Sequence, residues 1–544
     1  MEIIKFGGNN FVRFYNKFIP IHIKIFEHDL KKPSIYYFDD IIDYENIIND
    51  SMILASYLKN KGLVPGDRVA IYLQNVPQFV IAEVATWLLG GIVVPLNIMF
   101  KSKELEFYLK DSGAKAFIGL EKETELNLLP IKEKTNLEII ITTNAKDYIK
   151  NDIPNILKDD IKNYPLGKDN DFCNIIKMND EKLDQVHYPN PDDPALISYT
   201  SGITGPPKGA VNTHYNIIFA ANSYKELVNL NENDVTVTMV PLFHIGGNIS
   251  FLVTSLYSGI PLILMYRFDP SEALRLIEKW KGSYSANPIT IYIALMNHPD
   301  FLKRDLSHFK KLGHGAMAAP PALIDKWEKL TGVYIHNSLG MTEAASIITV
   351  VPFDQKGPVD KDTNALTVGK PIPGTEIKII NPETWNMVNN NELGEIIIKG
   401  PNVIKKYWNN PEDTKKAFID GWFRTGDWGK IDYDGWVYFI DRVKDIIDVS
   451  GFKVWPREIE DIIYMHPAVK EAAVVGKPDA IKGEIPKAFI VLKSEYVNKV
   501  NSEDIINFLK ENLAAYKIPK EIEFVVELPK APVGKILRRE LKNK

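Results

Sequence analysis

Residues 235–266 contain no Asp, Glu, Lys or Arg. An uncharged run of that length either crosses a membrane or lies deep inside a protein. Here Pro241, Pro261, His244 and several glycines interrupt it. A spanning helix must satisfy its backbone internally, and these residues break such a helix. The run therefore predicts a buried strand–loop–helix–strand, with no membrane span. The earlier chain points the same way. Val69–Leu73, Ile92–Leu96 and Ala114–Ile118 read as strands. Helical spacing covers Ile47–Lys61, Pro77–Gly90 and Lys103–Ser112 between and before them. Strands alternating with helices predict an α/β protein with a mostly parallel sheet covered on both faces.

The chain has 544 residues, too many for one core, so at least two domains are expected. Its net charge is −5, with no basic block, which gives nucleic-acid binding no electrostatic support. Cys173 is the only cysteine, so no internal disulfide forms and a reducing compartment fits. The start, Met1-Glu2-Ile3-Ile4-Lys5, lacks the pattern of a signal peptide. A cytoplasmic location is the expectation; monomer and homodimer both stay open. Residues 145–190 are polar and irregular, an elaborated connection.

After the apolar Ala195-Leu196-Ile197 comes Tyr199-Thr200-Ser201-Gly202-Ile203-Thr204-Gly205-Pro206-Pro207-Lys208-Gly209. Glycines let backbone N–H groups approach an anion, and hydroxyls and an ammonium complete a polyphosphate cradle. This is not the common P-loop, which needs glycine where Pro207 stands. The prolines also argue against Lys208 opening a helix, so the cradle is expected as a loop between strands.

Further motifs follow. His244, after Pro241-Leu242-Phe243, ends a predicted strand ahead of Gly246 and Gly247; it either lines a pocket or serves the fold. Gly313-His314-Gly315-Ala316-Met317-Ala318 fits G-x-G-x-x-A, the dinucleotide fingerprint, which raises a nicotinamide-dependent (NAD) oxidoreductase as a rival. Against it, the element lies deep in the chain and no strand ends in an acid about 20 residues on. Asn337-Ser338-Leu339-Gly340-Met341-Thr342-Glu343 ends a strand in a hydroxyl and a carboxylate, adequate for Mg²⁺ held with phosphate oxygens. Thr342 and Glu343 also suit a helix start. Gly421-Trp422-Phe423-Arg424-Thr425-Gly426-Asp427 offers a carboxylate able to accept two ribose hydroxyls. Asp441-Arg442-Val443-Lys444-Asp445 follows a strand ending at Ile440, where a domain boundary is placed. Val449–Val454 reads as a hairpin, and Lys535 sits in a Gly-supported terminal loop.

Taken together, these motifs resemble, in order, those of the adenylate-forming superfamily, and within it the acyl-CoA synthetases. The resemblance implies a large adenylation domain over 1–440, a hinge at 441–445 and a mobile α+β lid over 446–544. It implies ATP, Mg²⁺ and coenzyme A, with a small carboxylic acid as substrate. Nucleotide binding would fall to Thr200, Ser201, Gly202, Ile203, Thr204, Gly205 and Lys208, to Gly315 and Ala316 against adenine, and to Asn337, Ser338, Leu339, Gly340, Met341 and Thr342. Asp427 would hold the ribose and Arg442 the nucleotide, with Lys444 as the hinge. Ser450, Gly451, Phe452 and Lys453 would serve the thiol. Glu343 and Thr204 would hold the metal. Lys535, Glu343, Thr200 and Lys208 would act in catalysis, with His244 at the acyl site. Two residues depart from the pattern: Ile203 stands where Thr is usual, and Leu339 where an aromatic residue stacks on adenine.

The implied reaction makes an acyl-adenylate from ATP and passes the acyl group to CoA, releasing AMP and pyrophosphate. An enzyme that delivers the acid to a carrier protein would share every adenylation motif. A non-catalytic scaffold is disfavoured by Glu343, Asp427, Arg442 and Lys535 standing together. In the resemblance Gly340 lies beside the acid's first carbons, so a glycine there is expected to leave a tunnel open for an aliphatic acid of four or more carbons. A hydroxy acid stays open as well.

Overall fold

The structure is a computed structural model. It describes residues 2–6, 9–13, 18–158, 161, 167, 170–200, 207–316, 319–363, 365–442, 445–449, 452–479, 483–531 and 536–542. The uncharged run folds as predicted, into a strand Thr236–Thr238, helical turns from Ile245 to Ser258 and a strand Leu262–Leu264. The two strands pair in parallel, Thr236 opposite Leu262. Leu262 and Leu264 enter one hydrophobic core and Ile263 another. Period-two alternation between two cores is what burial on both faces demands. Among the described residues no helix is long and apolar enough to cross a membrane.

Two large sheets carry the N-terminal part. One has six strands, with Ile92–Pro95, Arg68–Tyr72, Ala116–Leu120 and Ile139–Thr143 in parallel neighbouring positions. The other has nine, and Tyr284–Asn287, Lys311–His314 and Ile335–Leu339 run parallel within it. The loops leaving Lys311–His314 and Ile335–Leu339 both emerge at carboxyl ends of parallel strands, where α/β sheets place ligands. A five-stranded antiparallel sheet includes Trp422–Ile431 and Val437–Arg442. The smaller C-terminal domain pairs Val469–Asp479 with Gly483–Leu492 and packs the helix Pro456–Met465 on them. It has its own core, with Ile459, Ile463, Val474, Ile490 and Ile505 among its members.

The helix Pro77–Leu88 is buried all round. Such a helix is normally apolar, yet it carries Glu83, 0% exposed. Asn248 Nδ2 donates to Glu83 Oε2 at 2.7 Å. Desolvation outweighs that bond and lifts the Glu83 pKa to about 8. A protonated carboxyl suits the surroundings. Glu83 Oε1 and Asn248 Oδ1 are both buried acceptors without a hydrogen-bond partner, and an acid proton supplies the missing donor.

Because folding raises this pKa, the folded state keeps a proton that the unfolded chain releases above the ordinary carboxyl value of 4.5. The stability it confers is complete below that pH and is lost as pH rises towards about 8. Glu83→Gln is neutral at every pH and of similar size. Thermal unfolding should show the variant melting with the wild type at pH 5 and clearly above it at pH 8.5. Parallel pH profiles would exclude a neutral Glu83.

Candidate active site

The strands Pro194–Tyr199 and Gly209–Thr213 pair antiparallel, Tyr199 opposite Gly209. Thr200 N–H donates to the Lys208 carbonyl at 2.9 Å and closes the mouth of the connection. Lys208 thus leads into a strand rather than a helix, as expected, and Pro206 lies outside the described residues. Ser201, Gly202, Ile203, Thr204 and Gly205 lie outside the described residues. Lys208 Nζ stands 3.3 Å from Asp413 Oδ2 and 5.4 Å over the Tyr407 ring.

Glu343 belongs to a single 3₁₀ turn, Thr342–Ala344, between Ile335–Leu339 and Thr349–Val350. It is buried, and the Tyr407 hydroxyl donates to its Oε1 at 2.9 Å. Burial pushes the carboxyl pKa up; the Tyr407 bond and the Arg442 charge oppose this, and the Asp427 charge adds to it. Tyr407 therefore meets Lys208 through its ring and Glu343 through its hydroxyl. No sequence motif marks it. Its place comes from the segment 406–408 running beside Gly209–Thr213, where Val211 N–H donates to the Lys406 carbonyl and Trp408 N–H to that of Gly209.

Asp427 and Arg442 are direct cross-strand partners in the antiparallel sheet. Arg442 Nε lies 3.4 Å from Asp427 Oδ1, so the expected ribose carboxylate carries its own counter-charge. The next residue inward, Asp441, is buried at the centre of an ion network. Arg538 donates to it at 3.1 Å and forks onto Glu460 at 2.7 and 3.3 Å, while Arg457 Nη1 donates to the Phe439 carbonyl at 2.6 Å. Lys444, Ser450, Gly451 and Lys535 fall outside the described residues. Phe452 and Lys453 open the strand Phe452–Val454, which pairs with Ile447–Val449 as the hairpin reading predicts.

Ser338 Oγ donates to the His314 carbonyl at 2.7 Å and joins the two strand-end loops. A Cβ on Gly315 would stand 3.0 Å from that hydroxyl, and Ala316 follows at φ 70°. The Asn337 amide is occupied by the scaffold, donating to the Thr367 carbonyl at 2.8 Å and accepting from Ser338 N–H at 3.1 Å. Leu339 and Met341 pack against the core that contains Ile348 and Ile396. His244 Nδ1 accepts from Gly246 N–H at 3.2 Å, capping a short turn; this tautomer carries its proton on Nε2.

One expectation is corrected. Gly340 was expected to leave a tunnel open. A Cβ there would lie 1.5 Å from the Ser346 carbonyl oxygen. The glycine is required by close backbone approach, and the space beside its α-carbon is filled. Gly247 is similar, its Cβ position 2.0 Å from the Pro241 carbonyl oxygen, whereas at Gly246 the nearest atom is His244 Nδ1 at 3.3 Å.

Residues 27–408 match the family of AMP-binding enzymes, and residues 458–535 match the AMP-binding enzyme C-terminal domain. The chain belongs to this family of adenylate-forming enzymes. It is 37% identical over 531 residues to a long-chain-fatty-acid–CoA ligase of Bacillus subtilis (strain 168), covering 94% of this chain and 91% of the relative. A long-chain-fatty-acid–CoA ligase of Salmonella typhimurium is 32% identical, covering 96% and 94%. Among solved structures, ATP-bound MatB from Rhodopseudomonas palustris superposes with a TM-score of 0.84 at 27% identity, over 96% of this chain and 98% of that one. Membership displaces the nicotinamide reading of Gly313–Ala318. Here Gly313 and His314 end the strand Lys311–His314 inside the nine-stranded sheet, and the helix Pro321–Thr331 follows it in the chain.

The contrast between two glycines is testable. Gly340→Ala must displace a backbone carbonyl 1.5 Å away, whereas Gly315→Ala meets the Ser338 hydroxyl at 3.0 Å and backbone only at 3.8 Å. Overpacking against backbone typically costs about 1–3 kcal/mol or more. Thermal unfolding should show Gly340→Ala clearly destabilised and Gly315→Ala close to wild type. Equal melting temperatures would remove the close-approach explanation.

Proposed function

We propose that the chain is a long-chain-fatty-acid–CoA ligase acting through an acyl-adenylate. The observation that carries this reading is the mutual approach of Glu343, Asp427 and Arg442, with Tyr407 joining Glu343 to Lys208. The names of the relatives support the acid class.

A carboxylate is a poor acceptor for a thiol, because its leaving group would be oxide. In the first half-reaction its oxygen attacks the α-phosphorus of ATP; a P–O bond forms and the bond to pyrophosphate breaks. In this reading Lys208 and Lys535 offset charge growing on the phosphate oxygens, the kind of preorganised stabilisation that dominates many enzymes. Asp427 accepts from the ribose hydroxyls, with Arg442 beside it as counter-charge. In the second half-reaction the CoA sulfur attacks the acyl carbonyl. A C–S bond forms, the C–O bond to AMP breaks, and the thiol proton passes to solvent.

The residues fit Mg²⁺. Glu343 is a hard oxygen donor whose burial disfavours an uncompensated charge. Among the described residues no group of three His, Cys, Asp or Glu could hold a metal alone, so an ion shared with phosphate is the arrangement that suits. Bound there, with Glu343 and in this reading Thr204 as protein ligands, Mg²⁺ would neutralise phosphate charge. The lid is proposed to turn about Lys444, taking Lys535 away and bringing residues 450–453 to the thiol.

Acid-dependent exchange of pyrophosphate into ATP should occur without CoA, and a panel of C2 to C16 acids should favour the long members. Each added buried methylene should help by up to about 0.8 kcal/mol until the site ends. Exchange that strictly needs CoA would defeat the two-step scheme, and product trapped only on a carrier protein would move the acceptor. Lys535→Ala should slow exchange by about 10²-fold while largely sparing thioester formation from supplied acyl-adenylate. Equal damage to both half-reactions would count against a lid that withdraws this lysine.

The Tyr407 bond holds the Glu343 pKa down against burial. Tyr407→Phe therefore raises it, and a reaction that needs the ionised carboxylate is lost at higher pH as acid is added. The acid limb of the exchange profile should shift to higher pH in Tyr407→Phe. An unmoved acid limb would separate Glu343 ionisation from catalysis.

A further inference from the structure

The turn that carries Glu343 ends in two consecutive non-glycine residues at positive φ, Ala345 at 45° and Ser346 at 86°. L-residues rarely adopt this region, and such backbone persists only where its surroundings impose it. Three contacts do so here. Ser346 N–H donates to the Met341 carbonyl at 3.1 Å, the Ser346 carbonyl is seated against Gly340, and Ser346 Oγ shares a hydrogen bond with the Tyr224 hydroxyl at 2.9 Å. The first two lie within the turn. The third ties the strained pair to the helix His214–Leu227, while Glu343 itself is held by Ile404 N–H on its carbonyl at 2.9 Å and by Tyr407 on its carboxylate.

Tyr224 is buried, with the Ser250 side chain near its hydroxyl. Ser250 Oγ in turn donates to the Gly246 carbonyl, and Gly246 N–H donates to His244. Ser250 lies in the widened π-type stretch Asn248–Val253, a distortion often found at functional sites. One phenol thus stands between the segment opened by His244 and the strained turn after Glu343.

We propose that Tyr224 is a positioning residue for adenylation, whose hydroxyl pins the strained turn Ala345–Ser346 and so fixes Glu343 where a Mg²⁺–nucleotide needs it. This rests on the reading of Glu343 as the metal carboxylate. The hydroxyl touches no reacting atom. It holds the backbone that follows the carboxylate and lies beside the segment opened by His244.

The test is a double-mutant cycle with Tyr224→Phe, Ser346→Ala and the pair, each variant removing one hydroxyl and little volume. In enzyme free of nucleotide and metal, amide exchange at Ala344 and Ser346 should quicken by about tenfold in each single variant, the loss of one buried hydrogen bond. The double variant should be no worse than either single one, because both remove the same bond. The Mg²⁺ concentration for half-maximal pyrophosphate exchange should rise in step, while thioester formation from supplied acyl-adenylate stays within about twofold of wild type. Additive effects, unchanged amide exchange, or equal loss in both half-reactions would overturn the proposal. Glu343→Gln is the control. If it leaves the Mg²⁺ requirement unchanged, the metal reading itself fails and the proposal with it. If it raises the requirement and the two hydroxyl variants do not, only the proposal fails.

Discussion

Burial of the parallel strands on both faces governs where this protein can do chemistry. Leu262 and Leu264 face one core while Ile263 faces the other, so no side chain of that strand is left for solvent. Polar function is forced to the strand ends and to the loops beyond them. The loops after His314 and Leu339 are such places, and Ser338 stitches them together. Groups that must remain inside are there on strict terms. Glu83 is held neutral by desolvation, and Gln78 is held by donating to Thr143 and to the Asn144 carbonyl.

The candidate site stands at the junction of the parallel sheets with the antiparallel one. Glu343 comes from the first, Asp427 and Arg442 from the second, and Tyr407 from a segment crossing between them. A charge in such a place is stabilised only by its neighbours, since water is excluded. That is why the Glu343 carboxyl responds to Tyr407, Arg442 and Asp427 together. The glycine and the two strained residues around it show the same economy of space, with Gly340 and Ser346 brought together more closely than any side chain allows.

Much of this was legible in the sequence where a local physical rule applied. Alternation of strands and helices, the uncharged run and the proline-marked loop at 200–208 all follow from periodicity, charge or φ restriction. What was not legible depends on register and on distant partners. Asp427 and Arg442 meet because an antiparallel pair brings them opposite across an irregularity near Trp428–Gly429, which no local pattern announces. Tyr407 contacts Glu343, 64 positions away, and nothing in Lys406-Tyr407-Trp408 shows it. Gly340 was misread because one letter serves two ends. A glycine admits a ligand or admits a neighbouring backbone, and only the Ser346 carbonyl decides between them.

The core of the C-terminal domain is closed, formed by residues of that domain such as Ile459, Val474 and Ile505. Turning such a body leaves its apolar interior untouched. What holds it to the strand Val437–Arg442 is largely polar, with Arg538 on Asp441, Arg457 on the Phe439 carbonyl, and the Trp428–Trp455 stack beside them. The attachment of this domain is thus carried by a buried ion pair and a hydrogen bond to backbone as well as by the indole stack. With Asp441 buried, its pair with Arg538 is screened by salt much less than a surface pair. Salt in the surrounding solution therefore leaves the attachment of this body largely in place.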